Sequence, residues 1–61
     1  MHRNRRILVV EDEFLIAMEL DITLTRAGYQ VLGPAANVSA ALGLLRLERP
    51  DAAVLDVNLA G

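Results

Sequence analysis

Three carboxylate side chains stand at the ends of two apolar runs in a chain of 61 residues. The first run, residues 7–10, leads into Glu11 and Asp12, and the second, residues 52–55, leads into Asp56. If the two runs are neighbouring parallel strands, all three carboxylates meet at one end of one sheet. Two like charges about 4 Å apart repel each other by roughly 1 kcal/mol in water and by roughly 4 kcal/mol in the lower dielectric near a protein surface. We therefore expect a cation to offset them.

The segments that would hold these acids alternate between strand-like and helix-like patterns. An aliphatic run without polar interruptions is typical of a strand covered on both faces, and apolar residues three to four apart are typical of helices. Asp12 is positioned to cap a first helix that Gly28 would end, and Asn37 to cap a second that Pro50 would end. The predicted elements cover about residues 7–10, 13–27, 29–33, 38–48 and 51–57.

The order of these elements, β-α-β-α-β, predicts an α/β fold with a parallel sheet. Crossovers between parallel strands are right-handed in nearly all cases. The second strand is short and alternates Tyr29 and Val31 with polar Gln30, so we expect it at the edge and the strand order to be 2-1-3. The helices then lie on opposite faces. A switch point lies between strands 1 and 3, where open doubly wound sheets bind ligands.

Composition disfavours several classes of protein. The chain has no cysteine and a net charge of −2, so it has no disulfides and no general affinity for nucleic acid. Arg3, Arg5 and Arg6 are expected to form a solvated start to the first strand. The apolar run that follows is too short for a signal peptide or a membrane span. The cytoplasm is the expected location, with no membrane partner.

Apolar surface exceeds what the predicted sheet can cover. The chain is 54% hydrophobic with a mean hydropathy of +0.37, yet it is shorter than the usual domain of about 100 to 150 residues. The third strand is apolar on both faces but would be an uncovered edge. We therefore expect a larger domain whose remainder begins after Gly61. An isolated chain should unfold partly, aggregate, or self-associate through the open edge of strand 3.

Several short motifs together indicate a known family. They are Ile-Leu-Val-Val-Glu-Asp-Glu at 7–13, Ala-Gly-Tyr at 27–29, Gly-Pro-Ala-Ala at 33–36 and Pro-Asp-Ala-Ala-Val-Leu-Asp-Val-Asn-Leu at 50–59. With them the chain resembles the first half of a bacterial response-regulator receiver domain of the CheY-like type. The resemblance implies a flavodoxin-like sheet of order 2-1-3-4-5 in the full domain. Residues 1–61 would be a truncated receiver, from the first strand to just past the phosphoacceptor aspartate.

The resemblance also implies a role for each acid in two-component signal transduction. Asp56 matches the aspartate that accepts a phosphoryl group from a sensor histidine kinase or a phosphotransfer protein. Asp12 matches the direct carboxylate ligand of Mg²⁺, Glu11 matches an acid that acts through metal-bound water, and Asn58 supplies its backbone carbonyl. Asp56 itself also contacts the metal. Mg²⁺ prefers hard oxygen ligands and keeps several waters, which agrees with these residue types. Such a domain is a conformational switch and only incidentally catalyses its own phosphorylation.

The sequence departs from the family pattern at several points. Glu11 replaces the commoner aspartate, and Ala60 stands where proline is frequent. Receivers also contact the phosphoryl oxygens with a Ser or Thr that ends the fourth strand and a Lys that ends the fifth. This chain has neither strand, and it contains no lysine at all.

Other hypotheses remain at this point. One is an interaction module on the receiver scaffold that is truncated and cannot be phosphorylated. Another is a hydrolase of the haloacid dehalogenase type, which also places an aspartate nucleophile after a strand. That chemistry needs a general acid two residues further on, and position 58 is Asn rather than Asp. A dinucleotide-binding enzyme is disfavoured, because the turn over residues 11–14 has no glycine and would repel a pyrophosphate.

Overall fold

Five secondary-structure elements follow one another in this computed structural model, which describes residues 5–56. They are β1 (Arg6–Glu11), α1 (Phe14–Arg26), β2 (Gln30–Ala35), α2 (Val38–Glu48) and β3 (Ala52–Asp56). The three strands form one parallel sheet in the order β2-β1-β3. The predicted α/β class and strand order are confirmed.

The central strand β1 forms the core because its side chains are apolar on both faces. Ile7, Leu8, Val9 and Val10 are all buried. Successive residues of a strand point to opposite faces, so two of these side chains serve each face of the sheet. Leu8 and Val10 pack with α2 and β2, in a cluster completed by Leu32, Ala35, Ala41 and the half-buried Leu44.

The two helices lie on opposite faces of the sheet, as predicted. Both contact β1 and β2, yet within residues 5–56 they make no contact with each other. α1 buries Ala17, whereas Phe14, Met18 and Ile22 remain exposed. Neither helix in this part of the chain is long and apolar enough to cross a membrane.

The first helix begins one residue later than the predicted cap. Its N-cap is Glu13 rather than Asp12, and the Glu13 side chain makes no capping hydrogen bond. The reason is that β1 continues to Glu11, so Asp12 lies in the bend between strand and helix. The predicted end at Gly28 is confirmed, since this residue has φ +98° and its N–H and that of Tyr29 donate back into the last turn.

The second helix has the predicted start, and only part of its main apolar stripe packs on the sheet. Asn37 caps it, with Oδ1 accepting a 2.8 Å hydrogen bond from the N–H of Ala40. The main apolar stripe of this helix at helical spacing contains Val38, Ala41, Leu42 and Leu45. Ala41 is buried, but the other three are exposed, and Leu44 packs on the core instead. The helix is apolar on more than one side, so periodicity alone could not select the packed face.

β2 extends two residues beyond the predicted end, through Gly33 and Pro34 to Ala35. The pairing with β1 shifts register between Leu8 and Val10, as at a β-bulge. Gly33 lies at this irregularity with φ +94°, and a Cβ there would be 2.7 Å from the Ala35 nitrogen and 3.1 Å from the Val9 oxygen. Only glycine fits this conformation without displacing backbone.

β3 is held to the rest of the molecule by β1 alone. Within the described residues neither helix contacts it, and Leu55 is 71% exposed. At the start of the strand, the Arg6 N–H donates to Asp51 Oδ2 at 2.7 Å, and the Asp51 N–H donates to the Arg6 carbonyl at 2.8 Å. The Arg6 guanidinium also pairs with Glu48 at the end of α2. The expected uncovered edge is therefore present.

Candidate functional site

The carboxyl ends of β1 and β3 bring three of the predicted site residues together. Glu11 and Asp56 are partners in the parallel ladder, so their strands end at the same level. Asp12 follows Glu11 directly. A cleft of about 400 Å³ opens there, lined by these three acids together with Glu13 and Ile16. The cleft lies at the switch point between strands 1 and 3, as the topology predicts.

Glu11 is the only buried charged residue among those described. Its side chain is 4% exposed. Oε2 accepts a 2.9 Å hydrogen bond from the backbone N–H of Glu13. Oε1 is buried and has no hydrogen-bond partner within residues 5–56. Burial of a carboxylate oxygen without a donor is costly, so this atom indicates that the site is suited to a cation or to water carried by one.

The neighbouring carboxyls change the acidity of Glu11. The hydrogen bond from Glu13 lowers its pKa, but burial and the nearby side chains of Asp56 and Asp12 raise it, and the net effect is a raised pKa. Crowding of like charges and loss of hydration both disfavour the ionised form. A divalent cation in the cleft would relieve both effects.

These carboxylate oxygens suit Mg²⁺, which keeps some of its waters, better than they suit a metal ion that is coordinated entirely by protein side chains. Within residues 5–56 no three or more His, Cys, Asp or Glu side chains are grouped closely enough to enclose a metal ion. Mg²⁺ does not require such a cage, because it keeps several waters and is bound through one or two carboxylates plus phosphate oxygens. The unpartnered oxygen of Glu11 and the exposed carboxylates of Asp12 and Asp56 suit that mode.

Comparison with known proteins decides the family. The protein-family model described as "Response regulator receiver domain" matches residues 7–61 of the chain. The chain belongs to the response regulator receiver domain family. It is 40% identical over 55 residues to the transcriptional regulatory protein PdtaR of Mycobacterium tuberculosis, covering 90% of this chain and 27% of that protein. It is 38% identical over 58 residues to sporulation initiation phosphotransferase F of Bacillus subtilis, covering 95% and 46%.

A third relative has the same pattern of partial coverage. The chemotaxis protein CheY of Thermotoga maritima is 33% identical over 56 residues, covering 92% of this chain and 47% of CheY. The receiver chain thus spans between about a quarter and a half of these relatives' lengths. No solved structure gives a significant match.

Two residues of the receiver cleft were not predicted, and one predicted residue lies beyond the described part. Glu13 and Ile16 line the cleft, although we had assigned both only to the first helix. The position of Glu13 at the N-cap could have indicated it, since an N-cap after a parallel strand lies beside the carboxyl ends of the sheet. Asn58, whose backbone carbonyl was expected to bind the metal, lies outside residues 5–56, so that role stays a prediction.

Proposed function

We propose that Asp56 is the phosphoacceptor of a two-component phosphorelay and that Glu11 and Asp12 hold the Mg²⁺ it requires. The observation that supports this most is the register of Glu11 with Asp56 in a cleft whose polar lining is entirely acidic. The donor would be the phosphohistidine of a histidine kinase or of a phosphotransfer protein. One relative is named a phosphotransferase, which agrees with a relay of phosphoryl groups.

The reaction needs little from the protein beyond a nucleophile and correct positioning. An oxygen of the Asp56 carboxylate attacks phosphorus, and the P–N bond to the donor imidazole breaks as the O–P bond forms. The imidazole leaves with the electron pair of that bond and takes up a proton. The product is an acyl phosphate on Asp56, a form of covalent intermediate known for carboxylate nucleophiles.

The other acids of the cleft would orient the reaction. Asp12, exposed at the bend, would bind Mg²⁺ directly, Glu11 would act through metal-bound water, and Asn58 would add its backbone carbonyl. When bound, Mg²⁺ supplies positive charge to the carboxylates and to the phosphoryl oxygens. Without it, Glu11, Asp12 and Asp56 would repel an incoming phosphoryl group.

We further propose that these residues form the first half of a receiver whose remaining strands supply the Ser or Thr and the Lys. Supporting this, the matched share of the relatives is small, and the exposed faces of β3 are apolar. Phosphorylation would then shift a conformational equilibrium rather than start a catalytic cycle. The domain would act as a switch and not as an enzyme.

Acetyl phosphate labelling tests the assignment of Asp56. The chain, alone and joined to the remainder of a receiver, is incubated with acetyl phosphate and Mg²⁺, and the base-labile adduct is measured by intact mass. We expect Asp56→Asn to abolish labelling. Asp51→Asn, directly before the start of the same strand, is the matched control and should label normally. Labelling that persists in Asp56→Asn would place the acceptor elsewhere.

One alternative has its own support. Within residues 5–56, β3 presents an uncovered apolar edge, as expected of an interaction module. Absence of labelling both alone and joined to a receiver remainder, together with stable self-association, would favour that function.

A further inference from the structure

The two oxygens of the Glu11 carboxylate differ in their hydrogen bonding. Oε2 accepts the backbone N–H of Glu13 at 2.9 Å, across the turn that joins β1 to α1. Oε1 is buried and has no donor among the described residues, and Glu11 is one of the residues that line the acidic cleft. One residue therefore both accepts a hydrogen bond from the turn and lines the cleft proposed to hold the cation.

The turn has little else to fix it. The N-cap Glu13 makes no side-chain capping bond, and the first turn of α1 contains no acid. Among the described residues, the only side-chain hydrogen bond at the start of α1 is the one that the Glu13 N–H donates to Glu11. The second helix differs, because Asn37 caps it from its own N-cap position. The Asp12 backbone lies between Glu11 and Glu13, so this one bond spans the residue proposed as the metal ligand.

We propose that Glu11 is a positioning residue for Asp12. Its Oε2 closes the β1–α1 turn and sets the direction of the Asp12 carboxylate, while its Oε1 is left for the cation's hydration shell. Binding of the cation and order at the start of α1 are therefore coupled through one carboxylate. The inference rests on the proposed function, in which Asp12 is the direct ligand of Mg²⁺.

Two substitutions at residue 13 distinguish the loss of its backbone N–H from the loss of its side-chain charge. Glu13→Pro removes the N–H that Glu11 accepts but keeps the carboxylates of Glu11, Asp12 and Asp56. Glu13→Ala removes the same side-chain charge and keeps the N–H. Groups that orient metal ligands typically change affinity about 10- to 100-fold, so we expect Glu13→Pro to bind Mg²⁺ about tenfold more weakly than Glu13→Ala by calorimetry. Equal affinities would overturn the inference.

Hydrogen exchange in the absence of metal gives an independent measurement. Glu11→Gln keeps a side-chain carbonyl that can accept from residue 13, whereas Glu11→Ala keeps no acceptor. We expect the amide of residue 13 to exchange roughly 2- to 10-fold faster in Glu11→Ala, as for loss of one hydrogen bond. Unchanged exchange at residues 8–10 would verify that both variants retain the sheet.

The outcomes of the two measurements are distinct. Equal exchange at residue 13 in Glu11→Gln and Glu11→Ala overturns the inference even if Mg²⁺ binds. Failure of the wild-type chain to bind Mg²⁺ refutes the proposed metal site instead. In that case the difference in exchange would still support the role of Glu11 in the turn.

Discussion

The two ends of the sheet use carboxylates in opposite ways. At the amino end, Asp51 and Glu48 both bind Arg6, through its backbone N–H and its guanidinium respectively. At the carboxyl end, Glu11 and Asp56 lie side by side, and within residues 5–56 neither pairs with an arginine. The first arrangement satisfies its charges internally, whereas the second leaves them for a ligand.

This difference separates stability from binding within one small sheet. Satisfied carboxylates at the amino end fasten β3 and α2 to β1 and add modestly to the free energy of unfolding. Crowded carboxylates at the carboxyl end reduce that free energy unless a cation is present. Substitutions of the same chemical kind at the two ends should therefore have opposite effects.

The largest expected effect concerns the carboxyl end of the sheet, where the described residues that line the cleft include no cationic group. Loss of one electrostatic donor commonly costs about 10²- to 10³-fold in rate. We expect acetyl phosphate to label the 61-residue chain at least that much more slowly than the same chain joined to a receiver remainder with its Ser or Thr and Lys. Intact-mass time courses measure this. Rapid labelling of the short chain would show that the missing donors matter little.

The next effect is on Mg²⁺ affinity and is confined to one end. Direct ligation is stronger than contact through water, so Asp12→Asn should weaken binding more than Glu11→Gln, whose loss we expect to be about tenfold. Calorimetry or paramagnetic broadening by Mn²⁺ measures both. Asp51→Asn, at the amino end, is the control and should bind normally. Equal losses in the two cleft variants would contradict their assigned roles.

A smaller effect is on stability: substitutions at the two ends of the sheet should change the free energy of unfolding in opposite directions. Asp51→Ala removes the acceptor of the Arg6 N–H and should lower the free energy of unfolding by about 1 kcal/mol. Glu11→Gln should raise it in metal-free buffer, because it removes charge from the acidic cleft. Thermal melts of both variants in the presence of a chelator measure this. Destabilisation by Glu11→Gln would show that its charge is already satisfied.

The pH dependence of the Glu11→Gln effect follows from the raised pKa of Glu11. A carboxyl with a raised pKa in the folded state contributes stability below its ordinary value of 4.5 and loses it as the pH rises through the folded-state pKa. Wild type and Glu11→Gln should therefore have similar stability at low pH. The variant should become the more stable of the two as the pH rises. A difference independent of pH would exclude ionisation as the cause.

The smallest expected effect is on association between copies. β3 has an open edge and exposed apolar side chains, so the isolated chain should self-associate at micromolar concentration. Ala53→Lys places a charge on this exposed strand and should reduce association in sedimentation experiments, whereas Ala40→Lys on exposed α2 should not. A compact wild-type monomer would contradict this prediction.

The sequence was sufficient for the elements whose signals are local. The aliphatic run of β1, the stop at Gly28 and the cap at Asn37 each depend on the chemistry of one short segment, and all three are confirmed. The order 2-1-3 followed from the polar character of β2. The grouping of Glu11, Asp12 and Asp56 then followed from topology alone, since parallel strands end at a common edge.

The predictions that were wrong, and the features that were not predicted, depend on contacts between segments that are distant in the sequence. The cap at Asp12 failed because pairing with β3 extends β1 to Glu11. The packed face of α2 could not be selected, because only contact with β1 and β2 distinguishes Leu44 from its apolar neighbours. The different hydrogen bonding of the two Glu11 oxygens could likewise not be predicted from the sequence, since it depends on the folded position of each oxygen.

The attachment of β3 by a single ladder has a mechanical consequence. Among residues 5–56, Asp56 ends the only strand that neither helix contacts. Glu11 and Asp12 belong instead to the most deeply buried strand, β1, and to the bend that follows it. β3 is the element that we expect to separate first from the sheet, either under applied force or in local unfolding. If Asp12 and Asp56 both hold the proposed cation, it would link the carboxyl ends of the two strands, opposite the contacts of Arg6 at the amino end. β3 would then be anchored at both ends, and the proposed acceptor Asp56 would be held in place by the proposed cation.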